Sequence, residues 1–484
     1  MELDEAIRSR GVRPQQLFLT GDQIYADDVH PALLAGAQRV AALLVGTGEA
    51  ELVQGELGDG FAAGRRASPL RKAGLSSGAM GSHLITLGEF IGMYLLVWSP
   101  VLWAVAGLDG VAALADFRAS LPRVRRALAH IPTGMMFDDH EVTDDWNIRQ
   151  SWVDGVGRSA LGRRVVRNAL AAYAVFQHWG NVPREFSGGR PGAEVLKALA
   201  GGAGAGAPEA LDEVLGALPS QAQRLAWGWR WGENPLFEVV ALDCRTRRVY
   251  RGRGRFGLMS SMEINRALAL DGGRKPPFSI VISPTPVLGV ALIEAIQRLG
   301  SKWSDEAVLD LDHEPWSAGN TVDALMNRLL YRSPAVVLSG DVHYGFIASA
   351  VAEAGAFKGM RFVNCVSSAL KNSSPGLVTW GKALGGGAAH ADGEEAPAPD
   401  LETRLEVGEE VGTVVETVPG AGAEVGPAEA DTLVPQLDWS VRRTPVVAVA
   451  NLGVLTWEGG TLRQVLRGPE GTRTDVATFP IEGS

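Results

Sequence analysis

Three short acidic motifs each follow directly on an apolar run, and no other feature of this chain constrains its fold as tightly. Gly21-Asp22-Gln23-Ile24-Tyr25 follows Leu17–Thr20, Asp138-Asp139-His140-Glu141 follows Met135–Phe137, and Gly340-Asp341-Val342-His343 follows Ala335–Ser339. The runs are short, bounded and partly β-branched, which is the pattern of buried strands. In an open α/β sheet, ligands bind in the crevice beyond the carboxyl ends of the strands. Asp, Tyr and His delivered there by three strands far apart in sequence suit hard or borderline metal ions. The motifs point to a metal-dependent hydrolase.

Each motif also has a plainer reading. Asp22 could bridge two cations and Tyr25 could bind a trivalent metal such as Fe(III), but an Asp after a strand also caps the segment that follows. Asp27 and Asp28 read as caps or as supports to the ligands. Three carboxylates and an imidazole stand in four consecutive residues from Asp138 to Glu141, where like charges repel unless a cation neutralises them. His140 is a candidate ligand or a general acid. Asp341 and His343, two apart, share one face of an extended segment, and Gly340 allows a sharp turn after the strand. Arg245 could hold a substrate phosphate through its guanidinium, or pair with Asp243 or another acid. His313 reads as a surface-loop residue, and His30, His83, His130, His178 and His390 carry no assigned role.

With 484 residues, 46 % of them apolar and 21 % charged, the chain can bury a sizeable core. Its net charge of -10 argues against phosphate-backbone contacts, so no role on a nucleic-acid scaffold is expected. Cys244 and Cys365 lie in apolar surroundings and read as buried thiols. The N-terminus, Met1-Glu2-Leu3-Asp4-Glu5, is acidic and lacks an apolar signal region, so a cytoplasmic location is expected. Leu84 to Val105 is apolar for long enough to span a bilayer. Glu89, Gly92 and Pro100 interrupt it, and no Lys or Arg cluster flanks it. Buried helices are expected there, and no membrane span.

A pass along the chain predicts a helical stretch over about 31–130, including Val111–Ala129 despite Pro122, and a helix over about Ser159–Trp179. The Gly/Ala/Pro-rich stretch Gly188–Pro208 lies in an expected flexible insertion over about 186–220. Strands are predicted at Leu236–Leu242, Phe278–Ser283 and Phe362–Val366, with a helix over about Val287–Leu299. An acidic Gly/Ala/Pro-rich segment over 385–431 is expected to be disordered. Strand character returns over 432–484, at Pro445–Ala450, Gly453–Trp457 and Thr461–Leu466, with Glu458-Gly459-Gly460 as a hairpin turn.

Together these motifs resemble the PhoD-like (alkaline phosphatase D) branch of the calcineurin-like metallophosphoesterases. Related purple acid phosphatases carry GDxxY, GNH[DE] and GHxH at the corresponding places. Leu242–Arg248 resembles the family's LDxR segment, and Val363–Asn372 is similar to a further block. The resemblance implies an α/β fold, a four-layer α/β/β/α sandwich with helical insertions. The catalytic domain would span 1–384, with the C-terminal strands completing the sandwich. It also implies phosphoric ester hydrolysis, of monoesters or diesters, by a hydroxide on a dinuclear site of iron, Fe(III), plus calcium, Ca²⁺, or another divalent cation.

By the same resemblance, Asp22 would bridge the metals, Tyr25 would bind the ferric ion and Asp139 the second metal. Asp341 and His343 would complete the coordination, and His140 would protonate the leaving group. Two departures stand out. The family's strand ending in Ser-Cys, whose cysteine is a ligand, has no counterpart among the twenty-one residues before Asp22. A truncated start is therefore expected, and with it a competing reading as a catalytically weak homologue that binds or scaffolds. The strand Ser279–Pro284 has no histidine of the VxxH kind, which implies an oxygen-rich second metal site.

Overall fold

The computed structural model describes residues 2–8, 13–218, 223–232, 234–250, 256–270, 275–288, 316, 321–342, 345–353, 358–367, 414–417, 439–443, 452–458, 461–467 and 473–480. The chain divides into two compact units, Met1–Trp229 with Ala241–Ser260, and Arg230–Val240 with Ser261–Ser484. Helices and a mixed sheet make this an α/β protein.

In the first unit, β1 (Leu17–Leu19) pairs in parallel with β2 (Thr133–Met135), Leu17 opposite Thr133 and Leu19 opposite Met135. α1 (Glu2–Arg8) precedes β1, and between the two strands lie the helices α2 (Pro31–Leu44), α3 (Gly48–Leu57), α4 (Ala67–Lys72), α5 (Leu87–Trp98) and α6 (Ala115–His130). The helical stretch expected over 31–130 is thus present, and Pro122 sits inside α6.

α2 packs along α5 at close range. A Cβ on Gly92 would stand 2.5 Å from the Ala37 carbonyl oxygen, so this crossing needs glycine. α5 starts at a reciprocal cap in which Thr86 Oγ1 accepts from the Glu89 amide and the Glu89 carboxylate accepts from the Thr86 amide. At 12 residues α5 is about 18 Å long, against about 30 Å of bilayer hydrocarbon. Among the described residues no helix is long and apolar enough to cross a membrane. Glu89, which breaks the apolar run in the sequence, is buried in a two-toothed ion pair with Arg66 at 2.8 and 2.9 Å.

After β2 come α7 (Gln150–Arg158) and α8 (Ala160–Tyr173), which runs into a π turn at Ala174–His178 and ends in α9 (Trp179–Asn181). The segment expected to be a flexible insertion carries α10 (Pro191–Ala200) and, further on, α11 (Asp212–Leu215). Pro191 opens α10 at a position that needs no amide donor. Val195 and Leu199, four apart, are buried.

The second unit is built on a sheet of eight strands among the described residues. They are β3 (Trp229–Trp231), β4 (Glu238–Ala241), β7 (Ser279–Ile282), β8 (Ala335–Ser339), β9 (Phe346–Ala352), β10 (Arg361–Val366), β11 (Val414–Thr417) and β12 (Trp439–Arg443). Between β4 and β7 in sequence, β5 (Val249–Tyr250) and β6 (Phe256–Gly257), which belong to the first unit, form a separate antiparallel pair. The order across the sheet is β11-β12-β9-β10-β8-β7-β4-β3.

β7, β8 and β10 run parallel, whereas β9, β11 and β12 pair antiparallel with their neighbours, so the sheet is mixed. The central strands are near-continuous apolar runs, as strands covered on both faces must be. Phe278, Val336, Ile347, Val363 and Cys365 form a buried cluster. α12 (Ser261–Ala267) and α13 (Val322–Tyr331) pack against each other. Glu238 accepts from both Arg230 and Arg332. The expected C-terminal hairpin is present, with β13 (Leu452–Glu458) antiparallel to β14 (Thr461–Arg467), joined by β15 (Arg473–Pro480) in a three-stranded sheet.

The remainder of the helix expected over Val287–Leu299, His313, His343, the strand expected at Pro445–Ala450 and most of 385–431 lie outside the described residues.

Candidate metal centre

β1 and β2 are parallel neighbours, so the loops that leave their carboxyl ends emerge side by side, and they carry the first two motifs. The strand predicted at Met135–Phe137 ends at Met135. Met136 and Phe137 are fully buried but irregular, and they deliver Asp138. Gly21 adopts φ +142°, and a Cβ there would stand 2.6 Å from the Asp138 Cβ. The glycine is what lets the two loops touch.

Asp22 has φ 58°, a left-handed conformation that a non-glycine residue adopts at a cost. Asp341, after Gly340 at the end of β8 in the second unit, has φ 63°, so the Asp of each Gly-Asp motif lies in the left-handed region.

Backbone and carboxylates tie the loops together. The His140 amide donates to Asp22 Oδ1 at 3.3 Å and Asp139 Oδ1 at 3.1 Å, and the Ala26 amide donates to the His140 carbonyl at 2.8 Å. Ligand-capable atoms of Asp22, Asp139 and His140 all lie within 4.8 Å of one another, as do those of Asp139, Asp144 and Asp145. Two carboxylates and an imidazole suit a hard or borderline cation.

The electrostatics fit the same requirement. Burial, reinforced by Asp139, Asp138 and Glu141, drives the Asp22 carboxyl well above its ordinary range despite His140. Burial acts on Asp139 too, yet Arg245 and His140 hold that carboxyl below its ordinary range. Crowded acids take up protons unless a cation takes the proton's place.

His140 is held from two sides. Its Nδ1 lies 2.9 Å from Asp27 Oδ1, and its ring stacks on Tyr25 with centroids 4.0 Å apart. Burial by itself would lower its pKa, but Asp27, Asp139 and Asp22 outweigh burial and hold it well above the usual imidazole range. Asp27 also accepts from Ser77 Oγ at 2.7 Å and the Asp144 amide at 3.1 Å. Burial pushes its carboxyl up, but the neighbouring His140 and His83 and the hydrogen bond from Ser77 hold it low. The sequence offers Asp27 as a cap or support; the structure makes it the residue that orients His140.

Arg245 is 1 % exposed in its side chain and ion-paired with Asp138, with Nη2 3.4 Å from Asp139. Asp243 instead accepts from the Arg245 and Thr246 amides. Of the two readings the sequence leaves open, the structure shows the ion pair, made with Asp138 and Asp139.

No known family pattern matches the chain, and no curated protein matches it. Among solved structures, one described as that of PhoD superposes with a TM-score of 0.35 at 14 % identity, over 76 % of this chain and 53 % of that one. The chain therefore spans about half the length of that structure. So loose a superposition carries no argument about activity.

Proposed function

We propose that the chain is a metal-dependent phosphoric ester hydrolase, a phosphomonoesterase or phosphodiesterase. The observation that carries this reading is that the ends of two parallel strands bring the Asp22 and Asp139 carboxylates, as metal donors, and the His140 imidazole, as proton donor, within 4.8 Å of one another. The three acidic motifs, read together, supply the reaction class.

In this reading Asp22, Tyr25 and Asp139 would hold two metal ions, Fe(III) with Ca²⁺ or another divalent cation. By the sequence pattern alone, Asp341 and His343 would complete the coordination. When bound, such ions neutralise phosphate charge and make a water acidic enough to serve as nucleophile at neutral pH. Asp27 fixes the His140 ring through Nδ1, so Nε2 is the atom that hands a proton to the departing oxygen. Tyr25 stacked on the ring limits its rotation. Arg245, paired with Asp138 and Asp139, holds the second motif in place and keeps Asp139 ionised.

The test is hydrolysis of p-nitrophenyl phosphate and its bis ester by the full chain with and without added metal. Turnover that needs metal and is lost in Asp22→Asn supports the reading. Metal binding without turnover of either ester overturns it in favour of a binding protein.

A further inference from the structure

Glu141, the last residue of the second motif, has no role in the chemistry proposed above, yet it is 1 % exposed and fully engaged. Its Oε2 accepts from the amides of Asp22 at 3.1 Å and Asp138 at 2.8 Å. Its Oε1 accepts from the Gln23 amide at 2.7 Å and from Gln177 Nε2 at 3.4 Å. A carboxylate has about four lone-pair sites, so these four donors use its whole capacity. The donors are uncharged, and three of them are backbone groups from the two motif loops.

Gln177 reaches this carboxylate from the π turn Ala174–His178, and its amide nitrogen also lies 3.1 Å from Tyr94 Oη on α5. A π turn inserts one residue into a helix and shifts the faces that follow, a device that often occurs at functional sites.

We infer that Glu141 is a positioning residue: its carboxylate clamps the Asp22–Gln23 backbone to that of Asp138, sets the separation of the Asp22 and Asp139 side chains, and is itself steered by Gln177 from the π turn. This rests on the reading of Asp22 and Asp139 as metal ligands. Glu141→Gln keeps the shape but turns an amide NH₂ toward backbone donors, so one side of the clamp is lost. Gln177→Met keeps the volume and removes the steering bond.

Two measurements on the full chain test it. The first is metal-free hydrogen exchange of peptides covering Gly21–Tyr25 and Phe137–Glu141, with a peptide from α3 as reference. Glu141→Gln is expected to speed exchange of both loop peptides by about tenfold or more, with the reference unchanged. The second is Mn²⁺ affinity by calorimetry, expected to weaken by about 10–100-fold, the usual cost of losing a group that supports metal ligands.

Unchanged loop exchange in Glu141→Gln overturns the clamp. Faster exchange with unchanged Mn²⁺ affinity overturns its positioning role. If Glu141→Gln exchanges faster throughout the first unit, Gln177→Met decides by the same two readouts. A native chain that binds no Mn²⁺ overturns the metal site itself and the positioning role with it, whereas the exchange result still reports on the clamp.

Discussion

His140 Nδ1 and Asp27 Oδ1 stand 2.9 Å apart although 113 residues separate them, which makes the imidazole a fixture of both motif loops. The carboxylate sets which ring nitrogen carries the proton toward Asp27, and so which one is presented to substrate. Replacing Asp27 by Asn leaves a similar shape with a weaker partner. It is expected to lower kcat by about 10–100-fold with little change in KM, whereas His140→Ala lowers kcat by about 10²–10⁴-fold. Steady-state kinetics on p-nitrophenyl phosphate checks both: native kcat in Asp27→Asn removes the orienting role of Asp27, and native kcat in His140→Ala removes His140 from the proton path.

Gly21→Ala tests the closeness of the loops. The added methyl would lie 2.6 Å from the Asp138 Cβ at φ +142°, so the backbone must shift. A loss of about 1–3 kcal/mol is expected from strain of this kind. Urea unfolding measures it, and an unaltered midpoint contradicts the packing described.

The Arg66–Glu89 pair carries a prediction about the helical part of the first unit. Both side chains are buried, and Arg66 also donates to the Phe61 and His83 carbonyls at 2.8 and 2.7 Å. Arg66→Met leaves the Glu89 charge without its partner and is expected to cost about 3–5 kcal/mol. The double variant Arg66→Met with Glu89→Gln is expected to recover part of that loss. Chemical unfolding of the three proteins checks the order.

His178 gives a pH dependence remote from the metal centre. Buried among Tyr173, Phe186 and Trp227, its imidazole is pushed down to about 3 by loss of solvation. An unfolded imidazole titrates near 6.5, so between these values the unfolded chain binds a proton that the folded one refuses. Stability therefore rises with pH across that window and is lost as pH falls below about 6.5. From pH 7 to pH 5 the native chain should lose about 2 kcal/mol more than His178→Leu. Equal losses in unfolding curves at the two pH values contradict the burial of a neutral ring.

Much of the site could be read before the fold. Asp22, Asp139 and His140 stand just after apolar runs, and a strand end is a local signal that survives in sequence, although β1 is only half-buried where the sequence suggests a buried strand. The partners were harder to read. Asp27 looks like a cap because its hydrogen bond to His140 comes from a loop far along the chain. Glu141 looks like one more acid in a charge run, although its carboxylate serves backbone amides.

Glu89 argued against a membrane span, but nothing in sequence singled out Arg66 as its counter-charge. α10 was hidden because its Gly and Ala content resembles a linker, while two apolar residues, Val195 and Leu199, suffice to seat it. β2 ends two residues before the apolar run does, since burial without pairing looks the same as a strand.

The most direct test of the account is the metal content of the purified full chain, measured by mass spectrometry after exposure to iron and calcium and removal of excess, alongside phosphoester turnover. The account predicts bound metal and metal-dependent turnover, both lost in Asp22→Asn with Asp139→Asn. A chain that retains no metal and hydrolyses neither p-nitrophenyl phosphate nor its bis ester contradicts it.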